Sequence, residues 1–396
     1  MEEAATKDRG RPTAADWAKL PPDLVAGDVV ARPARSFWRD VWFRFRQRKS
    51  AMGGAIVLLV IAALAVLGPS LTGHTYSSQE NSLANVPPWF QATVLPGVEG
   101  RFYINPHMKL IEVTDQGELV RQVPQVRDDL VAQRMEFDLD GRTLTVDYTA
   151  QPPALLDQAG ARVLPSVHTW NKSHVFGTDM LGRDVLTRVL YGCRISLAVA
   201  FIAALVNMVI GIVYGGVSGY VGGMVDNVMM RLVDIISTIP LPLYVILIKV
   251  VLGSGGFVSI VIALSSVYWV DMARVVRGQA LSLKSQEFVL AARTIGTPPG
   301  TILRRHIVPN AMGPILVTAT MLIPAAIFVE AFLSFIGIGI APPMASLGTM
   351  CNDALMALRS SPYQLLLPAA AICVIMFAFN FVGDGLRDAL DPKLRK

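Results

Sequence analysis

Residues 51–71 (AMGGAIVLLVIAALAVLGPSL) decide the fold class, because the whole stretch contains no charged side chain. A helix needs about 20 mostly apolar residues to cross roughly 30 Å of hydrocarbon. Further candidate spans are found at 195–215, 232–252, about 258–276, 314–335 and 365–382. We therefore expect an all-α polytopic membrane protein with six transmembrane helices.

The composition agrees with a membrane protein and excludes several other classes. The 396 residues are 53% hydrophobic and only 16% charged, whereas soluble domains carry roughly 25% charged residues. Gly and Pro show no period, which excludes collagen, and the three cysteines lack the spacing of metal ligands. In such an apolar chain the net charge of +5 indicates basic loops on one side of a membrane rather than a nucleic-acid partner.

Lys and Arg in the short flanks predict the orientation, because they concentrate in cytoplasmic loops. Basic residues precede the first span, follow the last one and fill the loop after the fourth. They include Arg44, Arg46, Arg48, Lys49, Arg277, Lys284, Arg293, Arg304, Arg305, Arg387, Lys393, Arg395 and Lys396. Both termini are expected in the cytoplasm, and the polar residues before the first span argue against a cleaved signal peptide.

The long segment between the first two spans has the pattern of strands. Residues 135–139 and 144–148 alternate apolar and polar side chains around Asp140-Gly141, a hairpin signal. Residues 102–104 and 109–113 are also predicted strands. The expected organisation is a cytoplasmic tail with an amphipathic helix (1–50), helix 1 (51–71), a small β-rich extracytoplasmic insertion (72–175) and a core (176–396). That core holds helices 2–6 and a cytoplasmic loop, 277–312.

No catalytic, metal or nucleotide-binding motif is present in the sequence. G-x-x-x-x-G-K-[ST], H-E-x-x-H and G-x-S-x-G are all absent. His168 and His174 could form half of a metal site, but a pair of surface-loop histidines is the favoured interpretation. We expect no catalytic residue and no metal.

The loop 284–309 (KSQEFVLAARTIGTPPGTILRRHIVP) is the most informative polar segment. Ser285 can cap a helix that has Glu287 in its first turn. Gly296 and the following Pro298-Pro299 end this helix, and a second short helix over 301–307 is expected before Pro309. One narrow apolar face is formed by Phe288, Ala291, Ala292 and Ile295. From spacing alone, this face either docks on a separate cytosolic protein or lies on the bilayer.

Several motifs resemble those of one protein family. Residues 290–296 (LAARTIG), followed after ten residues by 307–310 (IVPN), resemble the EAA loop of binding-protein-dependent ABC import permeases. Residues 176–184 (FGTDMLGRD) resemble the FGTDxxGRD signature of the peptide/nickel subfamily. Residues 194–197, 219–223, 330–337 and 383–392 also match, and the chain is most similar to the C-type subunit of di- and oligopeptide importers.

The resemblance implies a type I ABC importer permease fold and a set of partners. These are a homologous permease subunit that completes the channel, two cytosolic ATPases that bind ATP and Mg, an extracytoplasmic solute-binding protein, a peptide-like substrate and the bilayer of the bacterial cytoplasmic membrane. No cofactor is expected in this chain. The implied ATPase-coupling residues are Ser285, Glu287, Phe288, Ala291, Ala292, Arg293, Ile295, Gly296, Ile307 and Pro309. The extracytoplasmic motif residues are Gly177, Thr178, Asp179, Gly182, Arg183 and Asp184.

Three further residues are candidates for the pathway or its gate. Pro240 and Pro242 break the third span, and Glu330 lies within the fifth, where a buried charge is costly. Glu330 would either face a substrate vestibule or pair with a group of a neighbouring subunit.

The sequence departs from the family pattern at two places. Leu290 replaces the usual Glu of the loop, and the insertion is absent from short family members. The alternatives are a membrane channel or scaffold without ATPase coupling, and an intramembrane enzyme. An enzyme would need paired polar groups in the spans, and neither Asp234 nor Glu330 has such a partner in sequence.

Overall fold

The computed structural model describes residues 37–391 except 96, 150–152, 157–159, 164–166 and 254–255. The expected tail and the terminal residues Lys393, Arg395 and Lys396 lie outside the described residues. The helices, in chain order, are α1 Phe37–Gln47, α2 Lys49–Leu71, α3 Val185–Val221, α4 Gly223–Thr238, α5 Leu241–Leu252, α6 Phe257–Val267, α7 Trp269–Leu283, α8 Glu287–Thr294, α9 Pro299–Ile302, α10 Val308–Asn310, α11 Met312–Phe335, α12 Leu347–Leu355 and α13 Tyr363–Leu390. A wider π turn, Leu303–Ile307, joins α9 to α10.

Five helical segments are long and apolar enough to cross a membrane in the part of the chain that the structure describes. They are α2, α3, the pair α6–α7, α11 and α13, and the bent pair α4–α5 is either a sixth, broken span or a re-entrant loop. The break that Pro240 and Pro242 predict in the third span, 232–252, is confirmed, because α4 ends at Thr238, α5 begins at Leu241 and the two are bent by 88°. Pro240 precedes the new helix and Pro242 lies in its first turn, where a missing N–H is tolerated.

The long helix α3 lies close to α7 because its facing residues are small. Gly211, Gly215 and Gly219 follow one another at intervals of four and contact α7. A Cβ atom added at Gly215 would lie 2.2 Å from the backbone oxygen of Ala273. Helices in lipid gain little hydrophobic energy from each other, so close backbone packing through small residues stabilises this pair.

The insertion contains two antiparallel sheets. Its strands are β1 Trp89–Val94, β2 Arg101–Ile104, β3 Leu110–Val113, β4 Leu119–Gln122, β5 Gln125–Asp129, β6 Arg134–Leu139, β7 Arg142–Asp147, β8 Ala154–Leu156 and β9 Val167–Trp170. One sheet has the order β4-β3-β2-β1-β9 and the other β5-β6-β7-β8. The predicted hairpin is confirmed, since β6 pairs with β7 around Asp140 and Gly141, which both have positive φ.

The two sheets share a hydrophobic core of their own. Phe102 and Leu110 of the first sheet pack with Phe137, Leu144 and Val146 of the second. All five side chains are buried. The alternation that predicted β6 and β7 therefore corresponds to one face against this core and one face against solvent.

The insertion is fastened to one end of the helix bundle, which we call the insertion end. The Tyr363 hydroxyl at the start of α13 lies 2.7 Å from the carbonyl oxygen of Thr178 and 3.0 Å from that of Val86. Beside it, Gln364 Nε2 donates to Asn85 Oδ1 at 2.7 Å. The described ends of the chain, α1 and the end of α13, pack together at the opposite end, which we call the loop end because it carries α8.

Candidate functional site

The polar loop forms a short helix, α8, whose first turn contains Glu287 as expected. Its N-cap is Gln286, which has an extended backbone and makes no side-chain cap. The predicted cap by Ser285 is wrong, because the Ser285 hydroxyl donates to Ser282 O at 3.1 Å and so belongs to the end of α7.

The C-terminal end of α8 is closed by backbone hydrogen bonds around Gly296. Gly296 has φ +81°, its N–H donates to Arg293 O at 2.9 Å, and the N–H of Thr297 donates to Ala292 O at 3.0 Å. This pair of bonds is the Schellman arrangement, which needs a left-handed residue at the position of Gly296.

The next helical segment differs from the predicted helix over 301–307. Helix α9 begins earlier, at Pro299, and the π turn through Ile307 and the short α10 lead almost directly into α11. Pro309 therefore lies inside α10, in its first turn, rather than beyond a helix end. Ile307 is buried and Pro309 is exposed.

The two sides of α8 have different environments. Val289 and Ala292 are buried against Tyr220 of α3, Ala280 of α7 and Ile302 of α9. The predicted face of four residues is therefore divided, because Ala292 points inward. Phe288, Ala291 and Ile295 are exposed, as is Leu290, and the exposed fraction of Ile295 reaches 82%. An apolar surface thus remains on the outside of α8; we call it the α8 face (Phe288, Leu290, Ala291 and Ile295).

Polar contacts hold α8 on the end of the bundle. The Arg293 guanidinium lies 4.9 Å from the centre of the Tyr220 ring, and Arg293 Nε donates to the Tyr220 hydroxyl at 3.3 Å. Lys284 Nζ donates to Gly219 O at 3.0 Å. Sequence reasoning missed Tyr220 and Val289, since α3 and α8 are far apart in the chain.

Residues 176–184, which we call the FGTD segment, connect the insertion to the bundle. Thr178 Oγ1 donates to Leu83 O at 2.5 Å and accepts from the Val86 N–H at 2.9 Å. Gly177 and Gly182 both have positive φ and are buried. The segment therefore links the approach to β1 with the start of α3.

Asp184 lies at the N-cap of α3 and closes its first turn. Asp184 Oδ2 accepts the Thr187 N–H at 2.7 Å, and Oδ1 lies 3.0 Å from His174 Nδ1. Burial by itself raises the pKa of the Asp184 carboxyl, but the hydrogen bonds from His174 and Thr187 outweigh it and hold that pKa below its usual value.

Asp179 and Arg183 belong to a partly buried charge network at the insertion end. Asp179 Oδ2 accepts from Arg183 Nε at 2.7 Å and from Arg188 of α3. Both arginines also reach Asp353 of α12, at 3.4 and 3.2 Å. Arg188 and Asp353 were missed in the sequence, where nothing indicates a contact across 165 residues.

Glu330 lies in the middle of the bundle and is completely buried. Its carboxylate accepts one hydrogen bond from Ser196 of α3 and one from Ser334 of α11, each at 2.8 Å. The hydroxyls that contact Glu330 in the structure belong to the same chain, and its assignment to the pathway or its gate stays a prediction.

Comparisons with known proteins give consistent matches. Residues 208–396 match the model for the binding-protein-dependent transport system inner membrane component, and residues 36–88 match the N-terminal TM domain of oligopeptide transport permease C. The oligopeptide transport system permease protein OppC of Bacillus subtilis is 38% identical over 373 residues, which is 94% of this chain and 95% of the relative. The dipeptide transport system permease protein DppC of the same organism is 38% identical, covering 93% and 90%.

Two other matches are shorter. OppC of Escherichia coli K12 is 49% identical over 239 residues, 60% of this chain and 79% of the relative. A chain of the inward-facing MetNI methionine ABC transporter superposes with a TM-score of 0.45 at 18% identity, covering 52% of this chain and 96% of that chain.

The fold defines a class, the multi-pass membrane proteins, and this member has an exposed apolar helix at one end of its bundle. The chain belongs to the oligopeptide and dipeptide transport permeases of binding-protein-dependent ABC importers. It is accordingly a non-catalytic transport permease subunit of an ABC importer, and the permease relatives carry no cofactor.

Proposed function

We propose that this chain forms, with a homologous permease subunit, a pathway for peptides or peptide-like solutes through the bacterial cytoplasmic membrane. Two cytosolic ATPases that bind ATP and Mg drive the transport, and an extracytoplasmic solute-binding protein delivers the solute. The peptide class is supported by the names of the Bacillus subtilis relatives, which match over more than nine-tenths of this chain. The division into 1–50, 51–71, 72–175 and 176–396 is part of the same proposal.

The α8 face is the observation that supports a role of α8 in coupling the permease to the ATPases. Four apolar side chains are exposed on a helix that is itself fixed to α3, α7 and α9 through buried Val289 and Ala292. An amphipathic helix with one side anchored and the other unpartnered fits the groove of a second protein. Because α8 is anchored to the ends of the spans, a displacement of the docked ATPase would be passed to them as rigid-body motion.

The α8 face is apolar where the family pattern has a Glu. Leu290 has an exposed fraction of 47% and lies on the α8 face, so it adds hydrophobic area instead of a charge. We infer that the ATPase groove opposite Leu290 is apolar as well. Arg293, the basic residue of α8, contacts the Tyr220 ring of this chain instead.

Basic residues at the loop end support the proposed orientation. Arg44, Arg46 and Arg48 of the N-terminal flank, together with Arg304 and Arg305 near α8, gather at this end of the bundle. Basic flanks remain in the cytoplasm during membrane insertion, so the loop end and both termini are assigned to the cytoplasm. The insertion is then extracytoplasmic.

Ala291→Asp tests the coupling role, because Ala291 is exposed and its replacement leaves the buried side of α8 intact. A charge in an apolar contact should lower peptide uptake by proteoliposomes at least about tenfold and reduce co-purification of the ATPase. Ala132→Asp, the same change at an exposed turn of the insertion, is the matched control and should transport normally. Normal uptake and ATPase binding by Ala291→Asp, at equal membrane levels, would contradict the coupling role.

A further inference from the structure

Three potential metal ligands that the transport mechanism does not use lie together at the insertion end. His74 follows α2, whereas His174 and Asp184 precede α3 on the far side of the insertion. One ligand atom from each residue lies within 4.8 Å of the other two. The two imidazole rings are stacked, with their centroids 4.5 Å apart and an interplanar angle of 27°.

Two of the three side chains are buried and held by hydrogen bonds. His174 Nδ1 and Asp184 Oδ1 are 3.0 Å apart, and the backbone N–H of His174 donates to Asn171 Oδ1 at 2.8 Å. Asp184 Oδ2 accepts from Thr187 and already caps α3. Oδ1 is therefore the carboxylate oxygen that could bind a metal ion.

His74 is oriented by a carbonyl group. His74 Nε2 lies 2.9 Å from Ser173 O, which can only accept, so Nε2 carries the hydrogen. The other ring nitrogen, Nδ1, then has a free lone pair. A carbonyl that fixes the protonated nitrogen of a histidine is the usual second contact of a metal-binding imidazole.

We propose that His74, His174 and Asp184 form a site for a divalent transition-metal ion of the Zn²⁺ type. Two imidazoles and one carboxylate are ligands that Zn²⁺ accepts, whereas Mg²⁺ and Ca²⁺ prefer sets of oxygen ligands. Tetrahedral Zn²⁺ at about 2.0–2.1 Å from each ligand needs ligand atoms about 3.4 Å apart. The atom of His74 therefore has to approach by up to about 1.4 Å when the ion binds, and the His174–Asp184 pair, now 3.0 Å apart, opens slightly.

The proton balance of binding is simple. The ion takes the place of the hydrogen between His174 Nδ1 and Asp184 Oδ1; that proton leaves through water and one returns to His174 Nε2, so His174 binds as a neutral imidazole and the number of bound protons is unchanged. His74 contributes the Nδ1 lone pair, and a water molecule fills the fourth position of the tetrahedron. The cap on α3 is kept, since Asp184 Oδ2 still accepts from Thr187.

The position of the site gives it a structural role. The ion would tie the residue after the first span to the turn before the second, and so would close the base of the insertion. Binding to the folded state only would raise the unfolding temperature of this region as the Zn²⁺ concentration rises.

The experiment uses the purified transporter complex that contains this chain, stripped of metal with EDTA and titrated with Zn²⁺ against a chromophoric chelator. Wild type should bind one more equivalent of Zn²⁺ than His74→Ala, with at least about 100-fold weaker binding at this site in the variant. His168→Ala removes an exposed histidine of the insertion that lies outside the cluster and should behave as wild type.

A second variant keeps the proposal testable if His74→Ala assembles poorly. Asp184→Asn can still cap α3 but cannot offer a carboxylate, so it should keep the fold and lose the Zn²⁺-dependent rise in unfolding temperature. X-ray absorption of the wild-type complex should show two imidazole ligands at this site. Equal Zn²⁺ binding by wild type and both variants, or an equal stabilisation by Mg²⁺, would overturn the proposal.

Discussion

At the scale of single residues, Gly296 controls how α8 ends. Its φ of +81° places it in the left-handed region, and the adjacent Schellman hydrogen bonds depend on that conformation. A Cβ atom at this position would meet nothing within 4 Å, so glycine is required here by the backbone conformation and not by packing. The end of α8 is therefore sensitive to a change that alters no contact.

Gly296→Val should weaken coupling without preventing insertion into the membrane. A β-branched residue in the left-handed region is strained by about 1–3 kcal/mol, which would unwind the last turn of α8 and displace Ile295 from the α8 face. We expect peptide uptake to fall several-fold while the ATPases still hydrolyse ATP, as measured in proteoliposomes.

Gly300→Ala is the control for Gly296→Val. Gly300 lies in α9, a Cβ there also meets nothing within 4 Å, and its φ is not in the left-handed region. This variant should transport as wild type or be slightly more stable, because alanine favours a helix. A loss of uptake in Gly300→Ala equal to that in Gly296→Val would show that the backbone conformation is not the cause.

Local signals in the sequence predict single residues unevenly. Gly296 was predictable because a glycine followed by Pro298-Pro299 can only mark a helix end. Ser285 was assigned to the wrong helix, since its hydroxyl bonds back to Ser282 at the end of α7. Both choices satisfy a local hydrogen bond, and only the way in which α7 and α8 are packed decides between them.

At the scale of elements, the contact between α3 and α7 requires glycine. Gly215→Ala should destabilise the bundle by about 1–3 kcal/mol, because the new methyl group would overlap the backbone of Ala273 and force the helices apart. Thermal unfolding in detergent measures the effect. Gly53→Ala, at an exposed site of α2 with nothing within 4 Å, is the matched control. Equal unfolding temperatures for the two variants would contradict the close packing of α3 on α7.

Sequence periodicity predicted some elements well and others poorly. The β6–β7 hairpin was predicted because alternation and an Asp-Gly turn are local properties of the chain. The break in the third span was predicted from Pro240 as a kink, but the 88° angle depends on the surroundings of α4 and α5. Strands β5 and β8 have no local signature of comparable strength, since β5 is mostly exposed and β8 is only three residues long.

At the scale of the whole molecule, Tyr363 fastens the insertion to the bundle. Tyr363→Phe should loosen this attachment by about 1–2 kcal/mol, because the carbonyls of Val86 and Thr178 lose a common donor. Hydrogen exchange at residues 80–94 should become faster, while exchange in α3 stays unchanged.

Tyr148→Phe is the control for the attachment, since it removes an exposed hydroxyl within the insertion whose contact with Asp128 is 3.4 Å long. Exchange at residues 80–94 should match wild type in this variant. If Tyr363→Phe also matched wild type there, the attachment would have to rest on Gln364 and the FGTD segment instead.

Contacts between distant parts of the chain were beyond prediction from sequence. The Glu330 carboxylate meets Ser196 across 134 residues, and His74 meets His174 across the whole insertion. Residues of these types occur throughout the chain, and nothing local distinguishes the pairs that the fold brings together. The class of protein was predictable because hydropathy and the loop motifs need no such information.

The Thr72 and Thr187 hydroxyls are 2.7 Å apart, so the chain leaves the bundle and re-enters it at nearly the same place. An insertion whose two ends lie close together can change in length at a small entropic cost, because the entropy cost of closing a loop rises only slowly with the loop length. The length of the insertion can therefore change without displacing α2 and α3. It also marks the segment as a natural graft site, where an epitope or a fluorescent reporter could be spliced in while the translocating helices keep their arrangement.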